Sequence, residues 1–353
     1  MKPFVSILIP AYNSQKWIAE SIESSLTQSW ERKEIIVVDD GSRDRTLEVA
    51  RRYESKNVRV VTQVNQGAAT ARNAAFSLAQ GDYIQWLDAD DVMDSHKIES
   101  QVNKLADGLS KRVLLSGAWG HFIYRKRKAR FVPSLLWHDL SPVEWLLRKM
   151  GSNLHMQTAT WLVSREITEA AGPWNTQLST DDDGEYFCRI LMQSESVRFV
   201  PESKVYYRAC GTSSLSYVGS SDKKIESLFL SMKLHMQYLR SLEDSERTRA
   251  ACISYIRTWL PEICLYRMDI AQQLQQLCIE LGGEAKAPRL PRKYRWLERT
   301  VGWHMGRKAE LTLQATRANL NVALDKAMQR WENWTGVTAE PPDAASHELT
   351  TVR

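Results

Sequence analysis

Between residues 1 and 90 the apolar positions form short continuous runs separated by stretches of helical spacing. Runs at 5–9, 35–38, 58–62 and 83–87 are too short for helices and read as buried strands. Between them, Ile18, Ile22 and Leu26 share one helical face behind a cap at Asn13 or Ser14. Leu47, Ala50 and Tyr53 share a second face, and Ala68, Ala71, Ala75 and Leu78 a third, with Gly81 as its stop. This alternation predicts an α/β domain with a mostly parallel sheet flanked by helices.

Further along, the pattern loosens. Asp94 is placed to cap a helix bearing Ile98, Val102 and Leu105. Residues 114–124 and Phe131 predict a hairpin with a solvated tip at Arg125-Lys126-Arg127-Lys128. Ser141-Pro142-Val143-Glu144 carries the signals of a helix start. A strand is expected at 158–163, a helix at 185–192, and two short strands at 197–200 and 205–207. From residue 221 the pattern is helical only: Ile225, Leu228, Met232, Met236 and Leu239 recur, then a second run reaches Leu281 with a break near Pro261. A last helix is expected at 310–334. The reading divides the chain into an α/β domain at 1–220, an α-helical extension at 221–335 and a disordered tail at 336–353.

Composition narrows the class. In 353 residues, 43% are hydrophobic and 25% charged, with a net charge of +5, which is ordinary for a globular protein and too little to argue for nucleic acid. No apolar stretch is long enough to span a bilayer, and the first residues lack a signal-peptide pattern. Cys188, Cys210, Cys252, Cys264 and Cys278 are scattered and read as reduced packing residues of a cytoplasmic protein. Residues 286–308 are rich in Lys and Arg with Trp296 and Trp303 interleaved, which suits peripheral contact with an anionic membrane on its inner face.

The chemistry gathers at the carboxyl ends of the predicted strands, where open parallel sheets bind ligands. Strand one ends in Pro10-Ala11-Tyr12-Asn13, strand two in Asp39-Asp40-Gly41-Ser42, strand three near Asn65-Gln66-Gly67 and strand four in Asp88-Ala89-Asp90. Carboxylates at i and i+2 suit a hard cation that keeps sites open for phosphate oxygens. Thr180-Asp181-Asp182-Asp183 is a second acidic cluster, either a helix start or a source of a carboxylate with a raised pKa.

Taken in order, these elements resemble a family 2 glycosyltransferase of the GT-A fold, from Val5 to about Ser216. The resemblance rests on Val5-Ser6-Ile7-Leu8-Ile9-Pro10-Ala11-Tyr12-Asn13, on Val37-Val38-Asp39-Asp40-Gly41-Ser42, on Asn65-Gln66-Gly67 with Arg72, on Leu87-Asp88-Ala89-Asp90-Asp91, and on Asp182-Asp183 with Arg189. It implies that Pro10, Ala11, Tyr12 and Asn13 wrap the nucleotide and that Asp40 accepts a hydrogen bond from its base. Asn65, Gly67 and Arg72 border that pocket, with Asp88 and Ala89 on the ribose side. Asp90, with Asp88 as a second candidate, would ligate Mn2+ or Mg2+, and Asp183, with Asp182 as the alternative, would be the catalytic base.

The implied reaction is inverting transfer of one sugar from a nucleotide-diphosphate sugar, UDP favoured, to a glycan or lipid-linked acceptor. The chain departs from many members in having Ala209-Cys210-Gly211 after Tyr207-Arg208 where a histidine is usual, so Arg208 and Ser213 become candidates to face the diphosphate. The Gln/Arg-x-x-Arg-Trp signature of processive synthases is absent. His155, Gln157 and Trp174 are candidate acceptor contacts, and Trp161 a weaker one. Two rivals are a sugar-phosphate nucleotidyltransferase and a non-catalytic sugar-nucleotide-binding scaffold. A dehydrogenase and a P-loop ATPase are disfavoured, since neither glycine signature occurs.

Overall fold

A computed structural model describes residues 2–105, 108–209, 221–284 and 289–335. The expectations for Ser213, Cys210, part of 286–308 and the 336–353 tail lie outside these residues. The first half is built on strands β1 (Val5–Ala11), β2 (Lys33–Asp39), β3 (Val58–Thr62) and β4 (Tyr83–Trp86), all parallel, in the order β3-β2-β1-β4. Helices α1 (Ile18–Leu26), α2 (Thr46–Arg51) and α3 (Ala68–Leu78) make the crossovers. The central strands are buried along their length, as their continuous apolar runs require. Every functional strand end therefore emerges on one edge of the sheet.

A second sheet lies beyond this edge. It contains β5 (Val92–Met93), β6 (Val113–Phe122), β7 (Arg130–Phe131) and β9 (Ser196–Arg208) in the order β5-β9-β6-β7. The two short strands expected at 197–200 and 205–207 are one long strand, whose pairing with β6 shifts register at Gly117/Ala118. The strand expected at 158–163 is instead a tight turn at Thr158–Thr160 followed by the two-residue β8 (Val163–Ser164), antiparallel to β4. Its backbone is diverted because the Gln157 side chain accepts from Ala159 N at 2.6 Å. The expected hairpin between β6 and β7 is present, but its tip is not merely solvated, as described below.

Helices α4 (Lys97–Leu105), α5 (Pro142–Ser152), α6 (Arg165–Ala171) and α7 (Asp182–Gln193) complete this half. Ser141 caps α5 by accepting from Glu144 N at 3.3 Å. The last stretch contains α8 (Asp222–Leu242), α9 (Glu246–Tyr266), α10 (Met268–Glu280) and α11 (Arg295–Thr335). Pro261 sits inside α9 without ending it; the break falls at Arg267. Leu260, Ile263 and Cys264, buried on either side of the proline, hold the helix through it.

The boundary expected at residue 220 is not a break in packing. One continuous core joins Trp86, Trp145, Trp161, Tyr186 and Phe187 of the sheet region to Ile225, Met232, Tyr255 and Leu260 of the helical region. Cys188, Cys252, Cys264 and Cys278 are buried free thiols in or beside it. No helix among the described residues is long and apolar enough to cross a membrane.

Candidate active site

The end of β1 and the turn after β2 are laced together. Asp40 N donates to Ala11 O at 2.8 Å, Asn13 N to Ser42 Oγ at 2.9 Å, and Arg43 N to Asn13 Oδ1 at 2.9 Å. Asn13 takes a left-handed backbone, φ 49°, which turns the chain sharply and leaves the Tyr12 ring exposed beside it. Pro10 is half-buried and Ala11 buried behind it. Gly41 is required: its φ is +67°, and a Cβ there would lie 2.8 Å from Asn65 N.

Asp40 does something the resemblance did not suggest. Its carboxylate accepts from Gln63 Nε2 at 2.7 Å and Gln66 N at 3.0 Å on one oxygen, and from Asn65 Nδ2 at 3.0 Å and Gly67 N at 2.8 Å on the other. Four donors fill the acceptor capacity of a carboxylate. Asp40 thus shapes the loop that carries Asn65 and Gly67, rather than offering a free acceptor to a base.

After β4 the acidic run divides its labour. Asp91 is fully buried, takes Arg208 N at 2.8 Å and the Gln157 amide, and its pKa is pushed well up by burial, with Asp90 and Asp88 adding to the effect. Asp88 and Asp90 remain half-buried at the edge, beside buried Ala89. Asp88 receives Arg72 Nη2 at 2.8 Å, while Arg72 Nη1 reaches Asp182 at 2.7 Å. One buried guanidinium therefore ties the strand-four carboxylates to the acidic cluster at the head of α7. Burial alone would weaken the Arg72 cation, but Asp182 and Asp88 outweigh it and hold its pKa above the ordinary value.

The acidic cluster starts α7 rather than preceding it. Asp181 is the N-cap residue, in a left-handed conformation with φ 57°, and Asp182 and Asp183 lie in the first turn. The Asp181 side chain folds back over Gly184, where any Cβ would collide with its Oδ1. Burial raises Asp182 to about 6, with Asp183 and Asp88 adding and Arg72 opposing. Asp183 accepts a long bond from Thr158 Oγ1 at 3.4 Å and lines a cavity of about 30 Å³ with Trp145, Lys149, His155, Asp181 and Phe187.

Helix α8 seats this turn from behind. Ser227 Oγ accepts from Ser179 N at 2.9 Å and Thr180 N at 3.0 Å, and donates to Thr180 O at 2.9 Å. Ser231 Oγ donates to Asp181 Oδ2, and His235 Nε2 lies 3.8 Å from the same oxygen. Burial, with Lys149 adding, pushes the His235 pKa down to about 3, so the ring is neutral; its Nδ1 meets Tyr255 OH at 3.2 Å. These three residues escaped the sequence reading. Their four-residue spacing was visible, but a polar stripe on a helix ordinarily faces water.

Several predicted contacts have structural employment instead. Trp174 is 2% exposed, stacked on Tyr186 at 3.9 Å and capped by Arg72 at 4.3 Å, so its faces are closed to a sugar. Trp161 is wholly buried. Gln157 is spent on Asp91 and the Ala159 amide. Arg208 is buried between Trp17 and Phe122, where it donates to Asp90 O at 2.8 Å, Ile123 O at 2.9 Å and Glu20 at 2.7 Å; it locks the acidic run in place rather than facing a diphosphate. His155 keeps an exposed edge at the mouth of the cavity and leans on Trp119 at 4.9 Å. At the hairpin tip, Arg125 binds Asp325 at 2.7 Å and Glu332 at 2.9 Å, and Arg127 binds Glu332 at 2.5 Å, so the tip docks α11.

A parallel sheet with polar strand ends, a second sheet and an acidic helix start make up the GT-A arrangement. The same fold occurs in Staphylococcus aureus TarS (residues 1–349, crystallised with UDP-GlcNAc), with a TM-score of 0.57 at 18% identity over 79% of this chain and 89% of that one. The family model of glycosyl transferase family 2 matches residues 6–168. An uncharacterized glycosyltransferase of Haemophilus influenzae is 42% identical over 104 residues, 29% of this chain and 42% of that protein. The glycosyltransferase EpsJ of Bacillus subtilis is 28% identical over 216 residues, 59% of this chain and 62% of its own length. The chain thus spans less than two thirds of either relative.

Proposed function

We propose that this chain transfers a single sugar from a UDP-sugar to an acceptor hydroxyl, with inversion, in the synthesis of a cell-surface polysaccharide or glycolipid. The observation that carries the reading is the Arg72 bridge, which draws Asp88 and Asp182 to one guanidinium and so gathers two acidic segments about a hundred residues apart in one cleft. The likeness to TarS, crystallised with UDP-GlcNAc, supports a uridine nucleotide as donor. Asp183 is favoured over Asp182 as base, because Asp182 is committed to Arg72 while Asp183 accepts only a long bond from Thr158 Oγ1. In this scheme Asp183 takes the hydroxyl proton, the acceptor oxygen bonds to the anomeric carbon, and the bond to the diphosphate breaks.

No group of three or more His, Cys, Asp or Glu side chains suited to a metal forms among the described residues. The donor set at the strand-four edge is nevertheless all hard oxygen, which fits Mn2+ or Mg2+ held by Asp90 and Asp88 and completed by diphosphate oxygens and water. When bound, such an ion neutralises charge on the departing diphosphate.

The test is UDP release from a panel of UDP-sugars with Mn2+ or Mg2+, for the intact chain and for Asp183→Asn. The variant should lose turnover by about a hundredfold or more, as removal of a general base commonly does, and still bind UDP. Undiminished turnover would falsify the assignment of the base. Release of inorganic diphosphate from a sugar 1-phosphate and a nucleoside triphosphate would mark a nucleotidyltransferase instead. UDP-sugar binding without any turnover would mark a scaffold.

A further inference from the structure

Helix α11 carries a surface that the transfer chemistry does not use. Gly302, with φ 79°, kinks it, and the long arm beyond runs to Thr335. One face of that arm packs on the protein: Glu310 is buried, while Asp325 and Glu332 hold the hairpin arginines. The opposite face exposes Leu313, Leu320, Leu324, Met328, Trp331 and Trp334 at helical spacing, with Trp334 84% exposed. An apolar stripe this long on a solvent face requires an occupant.

Charge identifies the occupant. The four acidic residues of α11 are Glu298, Glu310, Asp325 and Glu332, and all four turn inward to partners: Glu298 accepts from Leu290 N, Glu310 from Arg307, and the other two from the hairpin. Apart from Arg307, its cations go the other way. Arg295, Arg299, Lys308, Arg317, Lys326 and Arg330 are all exposed and form no ion pair among the described residues. The exposed surface of α11 therefore combines an apolar stripe with charges of one sign, all cationic. A second copy of the same face would meet like charge, whereas a bilayer rich in anionic headgroups meets both features at once.

We infer that α11 lies in the plane of an anionic membrane surface, with its leucines and terminal tryptophans inserted and its cations among the headgroups. This extends the contact expected at 286–308: Trp303 of that stretch packs inward against the core, and the exposed face continues along the helix instead. The inference is independent of the reaction proposed above.

Co-sedimentation of the full chain with vesicles decides it. Vesicles of equal phosphatidylcholine and phosphatidylglycerol should bind the chain, and phosphatidylcholine alone should bind it at least tenfold more weakly. Leu320→Glu/Leu324→Glu should abolish binding to the anionic vesicles. Arg317→Gln/Arg330→Gln should weaken it about fivefold per charge removed, and high salt should weaken the wild-type chain similarly. All four residues are exposed, so thermal melting should be unchanged, and the two variants report separately should one fold poorly. Equal binding to neutral vesicles, no binding to anionic ones, or binding indifferent to both variants would overturn the inference. A dimer in analytical ultracentrifugation that Leu320→Glu/Leu324→Glu dissociates would overturn it too, assigning the face to a second copy.

Discussion

Ser227→Ala should damage catalysis without touching the nucleotide site. Ser227 is 4% exposed and makes three hydrogen bonds to the backbone of Ser179 and Thr180, the residues that lead into the acidic cluster. Alanine orphans two amide donors and one carbonyl. At about 1–3 kcal/mol for each buried group left without a partner, the two amides alone put the stability loss at roughly 2–6 kcal/mol, less whatever a water entering the space restores. The turn would also relax, and a displacement of about 1 Å at a catalytic group can cost on the order of a hundredfold in rate. The loops proposed to hold the nucleotide hang from Asp40, Ser42, Asn65 and Gly67, and none of the hydrogen bonds described for them reaches residues 179–181. Chemical denaturation, UDP affinity and UDP release from the donor should therefore part company: stability and turnover fall while UDP affinity holds. If stability drops by the stated amount and turnover is unaffected, the argument that α8 positions the base is wrong. If UDP affinity falls in step with turnover, the damage is general rather than local.

Arg72→Met should be costly to both fold and function, because it strands Asp88 and Asp182 in a half-buried cleft without their shared cation. A loss of about 3–5 kcal/mol in denaturant unfolding is expected, and a loss below 1 kcal/mol would show that the carboxylates repartner easily. The His235 ring gives a pH signature. It is neutral in the fold down to about pH 3 but titrates near 6.5 once unfolded, so the unfolded chain binds the extra proton in between. Melting temperature should thus fall as pH drops from about 6.5 toward 3, and His235→Gln should remove that component. Asp181 and Asp182, raised by burial, act in the opposite sense in both proteins, so the difference between the two curves isolates the histidine. Parallel curves would mean the ring is protonated in the fold.

Much of the first half was legible because local pattern and tertiary demand coincide there. Strand β3 was bounded correctly from Val58 to Thr62, and β1, β2 and β4 differ from expectation only at their ends. The acidic segments were visible as carboxylates that a strand end or helix start alone does not need. Apart from the local turn at Gln157 and the helix that continues through Pro261, the readings that the structure redirects depend on partners no local pattern shows. Arg125 and Arg127 look like a solvated tip until Asp325 and Glu332 arrive some two hundred residues later. Gln157, Trp174 and Arg208 have the chemistry of ligand contacts, but Asp91, Tyr186 and Asp90 consume it. Asp40 was expected to meet a base and instead holds the next loop, because nothing local shows that four donors of that loop converge on it.

The acidic turn explains why the helical region cannot be a mere appendage. Three successive aspartates repel one another, Asp181 sits in a left-handed conformation, and burial raises the pKa of both Asp181 and Asp182. Each feature weakens the turn. The start of α7 offsets part of this through its exposed amides and dipole, and Arg72 offsets more from the sheet side. Arg72 does not reach residues 179–181, and the start of α7 reaches only Asp181, whose carbonyl accepts from Glu185 N at 3.1 Å. Their other hydrogen bonds come from α8, whose opposite side is buried against α9 by Met232, Met236 and Leu239. The arrangement of carboxylates at the head of α7 is therefore a joint product of both halves of the chain, and the packing that supports it runs past residue 220 through α8.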